Sequence, residues 1–214
     1  MNYKIINSGS DGNATIVEDM VLIDCGVSFK KLQPYYKKLK LVLLTHIHSD
    51  HFNKRTITKL AQERPTLRFG CHDWLVKDLV DCGVNKKNID IYDFINEYLY
   101  PCEISVQTFK LEHDVPNCGY TLQVKKHTYF YATDTCTLAG IEAKNHDMYF
   151  IEGNYEDEQE LETRKQKHIE KSEFYYEDRV EKTHLSQVKA TEWLMDNMGE
   201  NSQYIFMHQH KERI

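Results

Sequence analysis

No run of apolar residues in this 214-residue sequence is long enough to cross a lipid bilayer. The residues that follow Met1 also lack the hydrophobic core of a secretory signal peptide. These two absences lead us to expect a soluble, cytoplasmic protein with no membrane partner. Internal repeats and low-complexity linkers are absent as well, so the length predicts a single domain over residues 1–214 with a substantial core.

Cysteine pairs with the spacing of a metal or redox site are also absent. The six cysteines lie far apart between Cys25 and Cys136, and no two of them form a C-x-x-C motif. In a cytosolic protein such thiols are normally reduced and mostly buried. The spacing therefore argues against both a disulfide framework and a cysteine-ligated zinc site.

An excess of basic residues is absent too, since the formal net charge is −6. Proteins that grip long nucleic acids usually carry a strong positive charge, so this balance favours a small substrate. A local group of lysines nevertheless keeps a nucleic-acid substrate open as an alternative. This group consists of Lys30, Lys31, Lys37, Lys38 and Lys40.

Apolar runs that predict strands recur along the chain, and segments with helical spacing separate some of them. The predicted strands are Tyr3–Ile6, Ala14–Val17, Val21–Asp24, Leu41–Thr45, Leu67–Gly70, Ile104–Phe109, Tyr120–Val124, Tyr129–Ala132, Met148–Glu152 and Tyr204–Met207. The predicted helices are Lys54–Glu63, His72–Cys82, Glu156–Tyr176 and Leu185–Met198. This order predicts an α/β fold in which two mixed β-sheets pack together between flanking helices, an αββα sandwich.

The strongest chemical signal lies directly after the predicted strand at Leu41–Thr45. Three imidazoles and one carboxylate, from His46, His48, Asp50 and His51, fall within six residues. At this chain's own composition such a string arises by chance on the order of once in a thousand sequences. A metal site explains the string better than a solvated polar loop does.

Residues of the same ligand types follow three other predicted strands. His113, Asp134 and His208 each come just after an apolar run, as His46 does. A single histidine at the end of a strand is usually only a solvated residue. Four strand ends that deliver histidine or aspartate to one rim would instead form a compact site for more than one metal ion.

These features resemble the metallo-β-lactamase superfamily, whose hallmark is a T-H-x-H-x-D-H string after a strand. The resemblance covers nearly the whole chain and includes Asp24 in the segment Asp24-Cys25-Gly26. Three details resemble the phosphodiesterase branch, with its YycJ/WalJ-like, PhnP-like and RNase Z-like enzymes. The turn Ser8–Asn13 is similar to the S-G-S-x-G-N opening of the YycJ-like group, and no cysteine ligand accompanies the histidine string. His184 precedes a predicted helix, and a second histidine, His208, follows after the next strand.

The resemblance implies two divalent metal ions per chain. Nitrogen and oxygen ligands suit Zn²⁺ or Mn²⁺, and Fe as well. Asp24 would orient a ligating imidazole, and His210 is a spare candidate ligand. The implied ligands are His46, His48 and His113 for one ion, Asp50, His51 and His208 for the other, and Asp134 as the bridge between them.

The resemblance also implies catalytic roles for His184 and Asp50. Hydroxide formed at the metals would attack a phosphodiester, while His184, tuned by Asp50 or Glu181, would protonate the leaving oxygen. The turn Ser8–Asn13 would either present N–H groups to a phosphate or be only a tight turn. Asn154 matches an E-x-N-H-D segment of the YycJ-like group, but the following residues depart from it, which leaves its role open.

The expected function is therefore a dinuclear phosphodiesterase that acts on a nucleic acid or a cyclic nucleotide. The branch also includes small anti-defence enzymes that hydrolyse cyclic-nucleotide immune signals. One alternative is a hydrolase of the same fold that cleaves a non-phosphate ester, as thioesterases and lactonases do. Another is a non-enzymatic nucleotide-binding module. Because relatives in the branch are often dimers, a homodimer is a further expectation.

Overall fold

The computed structural model describes residues 1–171 and 177–209. It contains two compact units, Met1–Thr108 and Phe109–Ile214. The strands of the described residues form two six-stranded sheets, and both sheets mix parallel and antiparallel pairs. Among residues 1–171 and 177–209, no helix combines the length and the hydrophobicity that crossing a membrane requires. The single domain over residues 1–214 stays a prediction.

The first sheet has the strand order β1-β2-β3-β4-β5-β6. Its strands are β1 Tyr3–Asn7, β2 Ala14–Val17, β3 Val21–Ile23, β4 Leu41–Leu43, β5 Arg68–Cys71 and β6 Ile89–Ile91. The first three strands pair antiparallel, and β3 to β6 run parallel. Because β3 and β4 consist only of buried apolar residues, they suit the interior of a parallel sheet.

The parallel strands of this sheet end at a common edge. Beyond the ends of β4 and β6 the ladder continues, since Leu44 N–H donates to the Gly70 carbonyl at 3.1 Å and Tyr92 N–H donates to the Cys71 carbonyl at 2.8 Å. The segments that follow β4, β5 and β6 therefore all leave the sheet at its carboxyl edge.

Three helices belong to the first unit: α1 Phe29–Leu32, α2 Lys54–Glu63 and α3 Val76–Asp81. The helix α2 has the predicted bounds, because Asn53 accepts a hydrogen bond from Thr56 N–H at the start and the pattern buries Ile57 and Leu60. The segment predicted as a helix from His72 begins instead with the 3₁₀ turn Asp73–Leu75 and continues as α3.

The second sheet has the order β12-β11-β10-β9-β8-β7. Its strands are β7 Tyr98–Tyr100, β8 Ile104–Leu111, β9 Asn117–Val124, β10 His127–Ala132, β11 Met148–Glu152 and β12 Gln203–Met207. The last three strands run parallel, so their carboxyl ends also share an edge. The helices of the second unit are α4 Glu158–Glu170, α5 Glu177–Thr183 and α6 Gln187–Asn197.

All ten predicted strands are present, with ends that differ by up to three residues. The sequence pattern missed β6 and β7, whose residues are only partly buried or exposed, and the short helices α1 and α5. The predicted helix Glu156–Tyr176 corresponds to α4, and residues 172–176 lie outside the described residues. The α/β class and the two mixed sheets are confirmed.

An aromatic stack lies at the carboxyl edge of the first sheet. The His72 ring is parallel to Trp74 at 4.4 Å between centroids and lies 4.2 Å from Phe94. Thr108 Oγ1 donates its proton to the Asp93 carbonyl at 2.8 Å, so His72 Nε2–H is the donor in the 3.0 Å bond to Thr108 Oγ1. Burial lowers the pKa of His72 to about 4, although Asp73 and Asp93 oppose this shift.

We expect this stack to make the protein less stable in acid. Because the folded pKa of His72 lies below that of an exposed histidine, the unfolded chain binds more protons between about pH 4 and pH 6.5. The free energy of unfolding should therefore fall by about 2 kcal/mol for this group between pH 7 and pH 5. Urea titrations at the two pH values measure the fall, and His72→Phe should reduce it by that amount.

Comparison of His72→Phe with the parent protein separates the contribution of His72 to the pH dependence from that of other titrating groups. Burial also lowers the pKa values of His113 and His146, but these histidines contribute equally in the variant and the parent. An unchanged pH dependence in His72→Phe would contradict the assignment.

Candidate functional site

The loop after β4 brings three histidines of the predicted string together. The ring centroids of His46 and His48 lie 4.8 Å apart, and those of His46 and His51 lie 4.2 Å apart. His46 and His51 are buried, whereas His48 and Asp50 are partly exposed. The Asp50 Oδ2 atom lies 3.6 Å from His51 Nε2. The loop therefore gathers four nitrogen and oxygen donors within the first unit.

Asp24 orients two of these imidazoles. Its fully buried carboxylate accepts a hydrogen bond from His51 Nδ1–H at 2.7 Å, and from Thr45 N–H and Oγ1–H at 3.0 and 2.9 Å. Because the Thr45 hydroxyl donates its proton to Asp24, it accepts one from His46 Nδ1–H at 2.9 Å. In both histidines Nε2 then carries the lone pair that a metal requires, which agrees with the expected orienting role.

The turn Ser8–Asn13 packs against the histidine loop through Asn13. Asn13 Oδ1 accepts the Gly9 N–H at 2.8 Å, which fixes the orientation of the amide. Its Nδ2 atom consequently faces His51 Nε2 at 2.7 Å, and Asn13 N–H donates to the Asp50 carbonyl at 2.6 Å. The turn thus positions an amide at the histidine loop, and a contact of its N–H groups with phosphate stays a prediction.

The second unit contains its own cluster of metal-ligand types. One donor atom each from Asp134, Glu152, His184 and His208 lies within 4.8 Å of the others. Three of these residues stand at or just beyond the carboxyl ends of the parallel strands β10, β11 and β12. Two carboxylates and two imidazoles, mostly buried, are a donor set that suits Zn²⁺, Mn²⁺ or Fe²⁺.

Glu152 is the residue of this cluster that the sequence analysis missed. Its fully buried Oε1 accepts from His184 Nδ1–H at 2.7 Å and lies 3.2 Å from His208 Nδ1, while Oε2 accepts Thr135 N–H at 2.7 Å. Glu181, named from sequence as a group that tunes His184, is exposed instead. The one signal for Glu152 was an acidic residue that ends an otherwise apolar strand.

The charges of this cluster favour a protonated His184. Burial lowers the pKa of His184, but the charge and hydrogen bond of Glu152, together with Asp134, outweigh it and leave the pKa raised. Burial raises the pKa of Glu152, yet the His184 charge and the bonds from both histidines hold it below its usual value. Both directions favour the charged pair, a protonated His184 beside an ionised Glu152.

His113 lies beside this pair. Its Nδ1–H donates to the Thr183 carbonyl at 3.1 Å, and its ring centroid lies 5.6 Å from that of His184. The His184 and His208 centroids are 5.1 Å apart. The second unit thus brings together all four of its sequence-predicted site residues, while their individual roles stay predictions.

Asn154 supports the loop that carries His208. Its Nδ2–H donates to the His208 carbonyl at 2.8 Å, and its own N–H donates to the Leu185 carbonyl at 2.9 Å. These bonds tie the segment after β11 to two chain segments that hold candidate site residues. The spare candidate His210 lies outside the described residues.

We predict that Gly26→Ala unfolds the histidine loop. A Cβ atom at Gly26 would lie 1.6 Å from the Asp50 carbonyl oxygen and 2.8 Å from Asn13 N, so backbone would have to move. We expect the free energy of unfolding to fall by about 3 kcal/mol or more. Gly140→Ala is the control, because its Cβ meets nothing within 4 Å and its positive φ costs about 1 kcal/mol. Equal losses in urea titrations would contradict the prediction.

We predict that Glu152→Gln weakens metal binding. A glutamine side chain is uncharged and has only one accepting oxygen, so it cannot accept hydrogen bonds from both histidines and from Thr135 N–H. The imidazoles therefore lose their fixed orientation. Zn²⁺ affinity, measured by competition with a chromogenic chelator, should fall about 10- to 100-fold. The matched control is Glu156→Gln, an exposed glutamate of the same unit. Equal Zn²⁺ affinity in both variants would show that Glu152 does not organise the ligands.

Comparisons with known proteins agree with this geometry. A family model described as "Beta-lactamase superfamily domain" matches residues 19–209. No curated protein matches the sequence. Among solved structures, the metallo-β-lactamase fold protein YhfI from Bacillus subtilis is similar at a TM-score of 0.74 and 17% identity, over 99% of this chain and 87% of that chain.

Two further solved structures share the fold. The short form of human tRNase Z, ELAC1, matches at a TM-score of 0.66 and 14% identity, over 99% of this chain and 93% of that chain. A diphosphatase from the PhnP family matches at a TM-score of 0.63 and 12% identity, over 97% of this chain and 86% of that chain. The αββα class is confirmed, and the superfamily is hydrolytic and metal-dependent. Because the family model covers most of the sequence, this chain belongs to the metallo-β-lactamase superfamily.

Proposed function

We propose that this protein is a dinuclear metal-dependent phosphodiesterase. The observation that carries the proposal is the bond between Glu152 and His184 beside a cluster of candidate metal ligands. A hydrolase that cleaves a phosphodiester has to protonate a poor leaving oxygen. An imidazole oriented by a buried carboxylate is suited to that task.

In this proposal the metal ligands keep the roles that the family resemblance implies. Two divalent ions would supply a Lewis acid for the phosphodiester and lower the pKa of the attacking water. The proposed ligands are His46, His48 and His113 for one ion, Asp50, His51 and His208 for the other, and Asp134 as the shared ligand.

Residues of the chain itself, rather than the metal ions, would donate the proton to the leaving oxygen and position the attacking water. Because Glu152 engages His184 at Nδ1, the proton for the leaving oxygen sits on Nε2. Glu152 stabilises the imidazolium before transfer and fixes the direction in which Nε2 points. Asp50 shares the catalytic assignment, since its carboxylate lies beside the Nε2 atom of His51 and can hold the attacking water through a hydrogen bond.

Two similar structures bear names that concern the cleavage of bonds to phosphorus. One is named a tRNase Z and another a diphosphatase. These names support phosphodiester chemistry for this chain, and the substrate is either a nucleic acid or a cyclic nucleotide. The net charge of −6 favours the smaller of the two. A homodimer also stays a prediction.

A hydrolysis panel tests the proposed function. Protein loaded with Zn²⁺ or Mn²⁺ is incubated with linear duplex DNA, single-stranded RNA, cyclic mononucleotides and bis(4-nitrophenyl) phosphate. We expect at least one phosphodiester to be cleaved and EDTA to abolish the cleavage. Survival of every phosphodiester would contradict the proposal, and cleavage of a thioester or lactone in its place would favour the alternative hydrolase.

The variant His184→Gln separates proton donation from metal binding. Turnover should fall about 100-fold or more while both ions remain, as measured by metal analysis of the purified protein. His127→Gln is the matched control, because His127 lies at the opposite end of β10 from Asp134. If His184→Gln lost a metal and His208→Gln kept both, the roles of these two histidines would be reversed.

A further inference from the structure

We infer that His72, Trp74 and Phe94 form an aromatic platform on which the base of a nucleotide substrate stacks. The inference rests on the proposed phosphodiesterase function and adds to it the chemical class of the group attached to the phosphate. The three rings belong to the first unit and serve no role in the proposed chemistry.

The aromatic platform lies at the same edge of the first sheet as the histidine loop. The loop follows β4, His72 follows β5, and Phe94 follows β6, and these three strands are parallel neighbours. Since adjacent strands are about 4.8 Å apart, the ends of β4 and β6 are separated by about 10 Å. A ligand that contacts both the histidine loop and the aromatic platform would span a distance of this order.

Phe94 offers an exposed ring surface that is backed by two others. The side chain is 43% exposed, although its ring lies 4.2 Å from His72 and 6.3 Å from Trp74. Trp74 in turn packs against the core of the first sheet. The ring is thus supported from behind and open in front, which suits stacking on a flat ligand.

The turn that carries Phe94 is held by hydrogen bonds. Asp93 Oδ1 accepts the N–H groups of Ile95 and Asn96 at 2.9 and 2.8 Å, and its carbonyl accepts Thr108 Oγ1–H. These backbone bonds lower the pKa of Asp93 to about 2, so the carboxylate stays charged and the turn stays closed at neutral pH. The backbone that carries Phe94 is therefore held before any ligand binds, which reduces the backbone entropy lost on binding.

The charges around the aromatic platform determine which end of a nucleotide it accepts. Asp73 and Asp93 flank His72 and act on it electrostatically, and burial keeps the His72 ring neutral. Two carboxylates repel a phosphate, whereas a neutral base with its π-face has no such penalty. The base therefore lies on Phe94, and the phosphate lies towards the histidine loop.

Fluorescence of Trp74 provides a direct binding test that requires no turnover. Trp193 is the only other tryptophan of the sequence, so the full-length Trp193→Phe protein, loaded with metal, reports on Trp74 alone. The probes are adenosine 5′-monophosphate and ribose 5-phosphate, which share the phosphate and differ by the base. We expect adenosine 5′-monophosphate to quench Trp74 fluorescence saturably, with a Kd about 10-fold or more below that of ribose 5-phosphate.

Variants of Phe94 decide whether the base stacks there. Phe94→Ala should weaken adenosine 5′-monophosphate binding about 10-fold or more and leave ribose 5-phosphate binding unchanged, whereas Phe94→Tyr should retain the affinity. Met195→Ala is the control, because Met195 is an equally apolar side chain that is 80% exposed on α6. Thermal unfolding confirms that each variant is folded.

Three results would overturn the inference: no adenosine 5′-monophosphate binding at millimolar concentration, equal affinity for the two probes, or unchanged affinity in Phe94→Ala. A loss of dimer in Phe94→Ala, with nucleotide binding intact, would show that the exposed turn is a protein contact and would also overturn it. Because the binding test needs no turnover, its failure leaves phosphodiester hydrolysis intact. A failure of hydrolysis alone leaves adenosine 5′-monophosphate binding intact.

Discussion

Buried hydrogen bonds between carboxylates and imidazoles hold both histidine clusters in place. A carboxylate removed from water is costly unless its oxygens accept several hydrogen bonds. Asp24 meets this condition with Thr45 and His51, and Glu152 meets it with Thr135 and His184. The same bonds that make these buried charges tolerable also fix the tautomer and orientation of each imidazole, so stability and ligand geometry depend on one set of contacts.

Parallel strands place the candidate site residues at the edge of each sheet, and left-handed backbone conformations set the direction of some of their side chains. Asp24, Asp134 and His208 all have φ between 54° and 60°, in the left-handed region that few residues other than glycine adopt. Each stands just after a strand of a parallel pair. A strand that simply continued would point the next side chains to alternate faces, whereas the left-handed turn redirects the chain at the edge of the sheet.

Much of the fold and the identity of the candidate site residues could be predicted from sequence. The ten predicted strands and α2 follow from hydrophobic period and turn residues, which are local properties. The string from His46 to His51 is also local, and its spacing by itself indicates metal chemistry. The elements β6, β7 and α1 are about as short as the predicted β3 and β4, but they lack a fully buried apolar run, so their own sequence does not predict them.

Except for Glu152, the sequence by itself determined which residues are candidate ligands and where along the chain they fall, because residue type and strand periodicity are local. Only the tertiary structure decided which carboxylate accompanies which imidazole. Glu152 and His184 are 32 residues apart, and Asp24 and His51 are 27 apart. Phe94 likewise meets His72 only through the pairing of β5 with β6. Which residues become partners depends on how distant segments of the chain pack together, and a local sequence pattern carries no information about that packing.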